Sequence, residues 1–242
     1  MGEQTSSQAM QKKIEIPPGE LAAPGDYEIL RKEIPFGTDT RRVELIRQRF
    51  AGNCAEYTVL NAAKILAEVN AVINPQVYAY LTSNRRLDLD TVERDLILGL
   101  VADAQENYPN LQSTVVDVDN LHQKLQNPYA PLTNTNSALL FRTATSPKPF
   151  DFEPSDVINS NSGSDQINLA LNRVLAQETL AVFVGSGAHA TSWLKLSDKC
   201  YKIDPLTQGI VSLGTKEVMA EDLRRTLSTP GSFITLNDVY TR

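Results

Sequence analysis

Between residues 54 and 69 apolar side chains recur at three- and four-residue steps. In CAEYTVLNAAKILAEV, Val59, Ala62, Ala63, Leu66 and Val69 form one stripe, the pattern of a helix packed on a core. Similar spacing predicts helices over Pro75–Thr82 and Leu89–Glu106, the second with Leu96, Leu100 and Ala104 on one face, and a short helix over Asp119–Gln126. Residues 127–164 are rich in Pro, Asn, Ser and Thr and read as long loops holding one strand, Ser137–Arg142. Ser164-Asp165 reads as the cap of a helix over Gln166–Gln177 that turns Ile167, Leu171, Val174 and Leu175 inward. Short strands then follow at Thr179–Val184, Thr191–Leu196, Cys200–Ile203 and Gly209–Leu213, with a helix at Lys216–Leu227 and a last strand at Ser232–Leu236. Helices first and an antiparallel meander afterwards imply an α+β fold, and no internal repeat is visible.

Ahead of this pattern, residues 1–26 are polar, carry Pro17, Pro18 and Pro24 and show no apolar period, so they are expected to form a flexible leader to a single domain over 27–242. The start Met1-Gly2 with Ser6 fits the outline of an acylation signal at Gly2, which the acidic Glu3 disfavours. A chain of 242 residues, 41% hydrophobic and 21% charged, can bury a sizeable core. Its net charge of -6 speaks against binding to nucleic acid or an anionic membrane and suits a partner with a basic patch. No stretch has the length of a transmembrane helix or the apolar core of a secretory signal, so a cytoplasmic protein is expected, or one exported into a host cell by a specialised system. Two cysteines and two histidines without short spacing predict neither a metal site nor a disulfide, and no cofactor is expected.

Those few residues nevertheless carry a chemistry. A thiol becomes a strong nucleophile when ionised, and a helix N-terminus, where Cys54 is expected, favours the ionised form. An imidazole to exchange the proton is found in His189, within GSGAHATSW at the start of a predicted strand. Asp204, at the end of the next strand, is spaced so that a hairpin would set it beside His189 and fix the ring's tautomer. An oxyanion developing on an attacked carbonyl needs donors, for which the Cys54 backbone N–H and the Gln48 side chain are candidates.

In this order, Gln48, then Gly52-Asn53-Cys54 opening a helix, then His189, then Asp204, the chain resembles the papain-like superfamily. The resemblance rests on three short motifs and the order of elements. Gly-Asn-Cys at a helix start, a single distal histidine, and Tyr201-Lys202-Ile203-Asp204-Pro205 followed by Thr207 and Gly209 resemble its bacterial toxin and effector branch. This implies a nucleophile-bearing helix packed on an antiparallel sheet that carries His and Asp. It also implies a thiol hydrolase acting on protein substrates, host proteins among them, with peptidase as the first expectation and glutamine deamidase or transglutaminase as the alternative. Deamidase relatives often carry a glutamine two residues after the aspartate, where this chain has Leu206, with Gln208 displaced. A non-catalytic interaction module on a relic of the same fold is the remaining alternative. Taken singly the residues have plainer readings: Asn53 is a helix cap, Trp193 and Cys200 are core residues, and His122 is a solvated side chain.

Overall fold

Where the sequence pattern predicts no element, at residues 27–48, the chain forms a long hairpin. In the computed structural model, which describes residues 27–48, 54–69, 71–82, 89–107, 116–127, 130, 132–147, 157–187 and 189–241, strand β1 (Tyr27–Phe36) pairs antiparallel with β2 (Asp39–Gln48) across Gly37-Thr38. Gly37 takes the left-handed backbone the turn requires, φ 53°. Ile34, Val43 and Leu45 are buried. Arg31 and Glu44 face each other directly on the exposed side with an ion pair of 2.8 Å, and Arg47 meets Glu28 at 3.3 Å, cross-strand pairs that hold the register. The predicted leader, with Gly2, and the Gly52-Asn53 step lie outside the described residues.

The apolar stripe after Cys54 forms helix α1 (Cys54–Glu68). Strand β3 (Ala71–Val72) and helices α2 (Pro75–Thr82), α3 (Leu89–Asn107) and α4 (Val118–Gln126) follow, the helices close to their expected bounds. Lys124 of α4 reaches Glu56 in the first turn of α1 at 3.3 Å, both side chains nearly buried at 4% and 8% exposure.

The expected strand at Ser137–Arg142 is instead the middle of helix α5 (Asn134–Thr145), capped by the Thr133 hydroxyl, which accepts from the Asn136 N–H. Almost every side chain from Asn136 to Thr145 is buried. A helix packed on all sides loses the one-sided period, leaving a short apolar run that reads equally as a strand. Strand β4 (Val157–Asn159) also interrupts the expected loop. Helix α6 (Ser164–Ala176) begins at Ser164; its cap position is Gly163, with no side-chain cap bond, so Ser164-Asp165 is the first turn and not the cap.

The predicted meander is present as β5 (Thr179–Ser186), β6 (His189–Leu196), β7 (Lys199–Ile203) and β8 (Val211–Gly214), followed by helix α7 (Lys216–Leu227), β9 (Phe233–Asp238) and β10 (Tyr240–Thr241). Six strands form one sheet in the order β4-β9-β5-β6-β7-β8, every neighbour antiparallel. β10 pairs with β3 in a separate two-stranded piece. Alternating side chains serve two cores. Ala181, Phe183, Ala190, Leu194, Tyr201 and Ile203 join the core built with α1 and α5, while Val182, Trp193, Cys200 and Leu236 join Leu171, Met219 and Leu223 of α6 and α7. Being covered on both faces, β5 reads as a continuous apolar run from Leu180 to Val184 and not as alternation.

The N-terminal hairpin docks on this frame. Tyr201 Oη donates to Pro35 O at 2.6 Å, Lys199 Nζ to Gly37 O at 2.8 Å, and the Phe36 and Tyr201 rings lie 5.3 Å apart. On α1, Asn61 makes two buried bonds to one residue of β2, accepting from Ile46 N–H at 2.7 Å and donating to Ile46 O at 2.8 Å. Gln48 ends the same strand two residues later. The fold is mixed α and β with antiparallel sheets, as the order of elements predicts, with a hairpin ahead of the helices that it does not.

Candidate active site

β7 is shorter than β6, and its register stops at Ser192 opposite Ile203, so the first residues of β6 run past its last residue. The N-terminal turns of α1 cover that gap. Cys54, 7% exposed, stands at the helix start, and the backbone N–H of Ala190 donates to its Sγ at 3.2 Å. A helix N-terminus and an N–H aimed at sulfur both favour negative charge on that atom.

His189, one residue earlier, opens β6 after a tight turn at Gly187, whose φ of 59° suits glycine. Its Nε2 lies 3.1 Å from Asp204 Oδ1. With Nε2 engaged by the carboxylate, Nδ1 is the ring atom left for the thiol. Nδ1 is buried and meets no partner of ordinary hydrogen-bond geometry among the described residues.

Asp204 is fixed by the loop that follows it. Its Oδ1 also accepts from Leu206 N–H at 3.1 Å, its own N–H donates to Ile210 O at 2.8 Å, and the Thr207 hydroxyl donates to its carbonyl at 3.0 Å. Ile210 closes this loop with φ 60°, a left-handed conformation costly for a β-branched residue, while its side chain is buried in the core. The next carbonyl, Pro205 O, accepts from Gln48 N–H at 2.8 Å. Asp204, Gln48 and the end of the hairpin are thus one unit.

The electrostatics follow from these contacts. The Asp204 hydrogen bond first, then the neighbouring Cys54 thiol, raises the His189 pKa to about 9 against the opposing effect of burial. Burial pulls Asp204 upward, yet the hydrogen bond and charge of His189, the Leu206 N–H and the charge of Lys202 together hold it below its ordinary value. His189 therefore adds stability that is complete below the ordinary histidine pKa of about 6.5 and lost as pH rises through about 9. Asp204 adds stability above the ordinary carboxylate range that is lost as pH falls through its own lowered pKa. Because the chain has only two histidines, a proton NMR titration assigned with a His122→Asn variant can read this directly. One imidazole is expected to titrate near 9, to fall furthest toward the ordinary value in Asp204→Asn and to fall less in Cys54→Ala. An imidazole at His189 titrating near 6.5 in the unaltered protein would contradict the geometry.

No known protein family and no curated protein matches this chain.

Of the residues singled out from sequence, Cys54, His189 and Asp204 meet in one place, and Gln48, 3% exposed, is joined through its backbone to the Asp204 turn. Gln48 is a strand residue, not part of a surface loop. Trp193 faces the other core, where its Nε1 donates to Asp222 Oδ2 at 2.9 Å, so it does not shield Cys54. Cys200 is also in that second core, its thiol pKa raised by burial, and neither cysteine is in a disulfide. Among the described residues no group of three or more metal-ligating side chains is found, and no helix is long and apolar enough to cross a membrane.

Two buried polar positions near the site escape the sequence reading, Thr58 and Asn61. Both are fully buried polar side chains on α1, four and seven residues after Cys54, and both bond to the backbone of a strand, β6 and β2 respectively. The available signal is their spacing: i, i+4 and i+7 place them on the face of Cys54.

Proposed function

We propose that the chain is a papain-like thiol hydrolase acting on protein substrates through a thioester, and most specifically a cysteine peptidase of the bacterial effector kind. The observation that carries this reading is the relay from Asp204 Oδ1 through His189 Nε2, at 3.1 Å, to a ring whose other nitrogen is left for a thiol at the start of α1 that accepts an N–H at 3.2 Å. In this reading the Cys54 sulfur attacks the carbonyl carbon. The oxyanion is met by the Cys54 backbone N–H and the Gln48 side chain, and the imidazolium of His189 gives its proton to the departing amine. Water, deprotonated by the imidazole, then attacks the thioester; the carboxylic acid leaves and the proton returns to the His189–Cys54 pair. Asp204 keeps its charge throughout and holds the ring's tautomer.

A side-chain amide entering the same site would be deamidated, and a lysine amine in place of water would give a crosslink, since all three outcomes share one acyl-enzyme. Presenting a mixture of unstructured peptides separates them: cleavage shortens a peptide, whereas deamidation leaves its length unchanged and releases ammonia. Shortened peptides are expected.

The role of Asp204 is tested by Asp204→Asn. The variant keeps an acceptor for Nε2 but loses the charge, so acylation is expected to slow by about tenfold to a hundredfold, the loss of a charge-assisted hydrogen bond worth about 1.5–3 kcal/mol. Its melting temperature at neutral pH is expected to fall by no more than several degrees, the stability that the charged pair adds there, with the fold intact. Full activity, or an unfolded variant, would remove Asp204 from the mechanism.

A further inference from the structure

Ala190 is held by α1 on both of its backbone groups. Its N–H donates to Cys54 Sγ at 3.2 Å, and its carbonyl accepts from Thr58 Oγ1 at 3.1 Å. Cys54 and Thr58 are one helical turn apart and share a face. The threonine is fully buried. A threonine inside a helix ordinarily turns its hydroxyl back to a carbonyl of the preceding turn. Here it reaches a strand distant in sequence instead, at the stretch of β6 beyond the last residue of β7. The two groups belong to successive peptide units, so the contacts from α1 hold the main chain on both sides of the Ala190 Cα, on the edge that β7 leaves open.

We propose that Thr58 is a positioning residue, its hydroxyl fixing Ala190 so that the Ala190 N–H stays aimed at Cys54 Sγ and favours the ionised nucleophile. The proposal rests on the reading of Cys54 and His189 as a reacting pair. Thr58 itself touches no reacting atom and acts through the backbone of the residue next to His189. Ala190 serves the sulfur through its main chain, which is why the sequence around His189 gives no sign of it.

The experiment compares the full chain with Thr58→Val, Thr58→Ala and Thr58→Ser. It reads the rate of Cys54 alkylation by iodoacetamide at neutral pH, the NMR titration of His189 and the melting temperature. Both variants without the hydroxyl are expected to alkylate about fivefold to tenfold more slowly, the scale of loosening one charge-assisted hydrogen bond. Their His189 titration is expected to move down, because a less ionised sulfur supports the imidazolium less. Thr58→Ser is expected to restore both. A purely structural threonine would lower the melting temperature in Thr58→Val while leaving the titration and the alkylation rate in place, which would overturn the proposal. So would hydroxyl-less variants that fail to fold while Thr58→Ser folds and titrates normally, since the hydroxyl would then belong to folding alone. If alkylation of Cys54 in the unaltered protein does not depend on His189, the reading of the site fails, and the positioning role fails with it. If that dependence holds and Thr58→Val behaves as the unaltered protein does, only the role of Thr58 fails.

Discussion

His189→Ala is expected to slow acylation of Cys54 by about 10²- to 10⁴-fold, the usual weight of a positioned general acid–base, while leaving the melting temperature within a few degrees at pH values above 9. Cys54→Ala is expected to abolish acylation entirely. The asymmetry follows from the contacts. Without the imidazole, the sulfur keeps the Ala190 N–H at 3.2 Å and its place at the start of α1, so a slow residual reaction survives. Without the sulfur there is nothing to acylate, because Cys200 lies in the other core with its thiol pKa raised by burial. The two single losses should not add: a His189→Ala, Cys54→Ala double variant should be no worse than Cys54→Ala alone. The rates are checked by the appearance of the acyl adduct with a small acyl donor. Equal rates in His189→Ala and the unaltered protein would exclude the imidazole from the reaction.

The largest expected effect on stability lies in the same first turn of α1, at the buried pair of Lys124 and Glu56. Lys124→Met strips the partner from a carboxylate that is 8% exposed and pinned in the first turn of α1. Breaking a buried pair from one side costs about 3–5 kcal/mol, a large fraction of what an ordinary domain has. Removing both charges together, as Glu56→Leu with Lys124→Met, leaves no uncompensated charge and is expected to return most of that stability. Urea denaturation of the two single variants and the double variant measures the coupling directly. Additive losses would mean that the pair is solvated and not a linked buried contact. Since Glu56 lies two residues after Cys54, Lys124→Met should also slow acylation, but only through loosening of the helix start.

What the sequence made legible, and what it did not, follows from packing. Helix α1 announces itself because Val59, Ala62, Ala63 and Leu66 face one core, and α2 and α7 fall at their expected bounds. Helix α5 does not, because Leu139, Leu140, Phe141 and Ala144 are all buried and its two faces look alike. The hairpin of β1 and β2 hides its alternation under arginines and glutamates that pair across the strands, Arg31 with Glu44 and Arg47 with Glu28. Cys54, His189 and Asp204 stand out as candidates because each carries its chemistry in its side chain and sits at the boundary of an element. Thr58, Asn61 and Ala190 do not, since what they contribute is a hydrogen bond to or from a distant backbone, and nothing local encodes the partner. Asn61 holds Ile46, Thr58 holds Ala190, and Gln48 meets Pro205. These three long-range bonds bring the ends of the hairpin, the helix and the sheet to one point.

The central claim is that Cys54 carries an acyl group in a reaction that needs His189. Intact-mass analysis tests it most directly: the unaltered protein, Cys54→Ala and His189→Ala are each mixed with a cysteine-directed acyl-enzyme trap, and the adduct is mapped by peptide digestion. A single adduct on Cys54 in the unaltered protein, absent from Cys54→Ala and strongly reduced in His189→Ala, is the expected result. Labelling of Cys54 that is indifferent to His189, or labelling that falls on Cys200, would contradict it and leave a fold that binds without reacting.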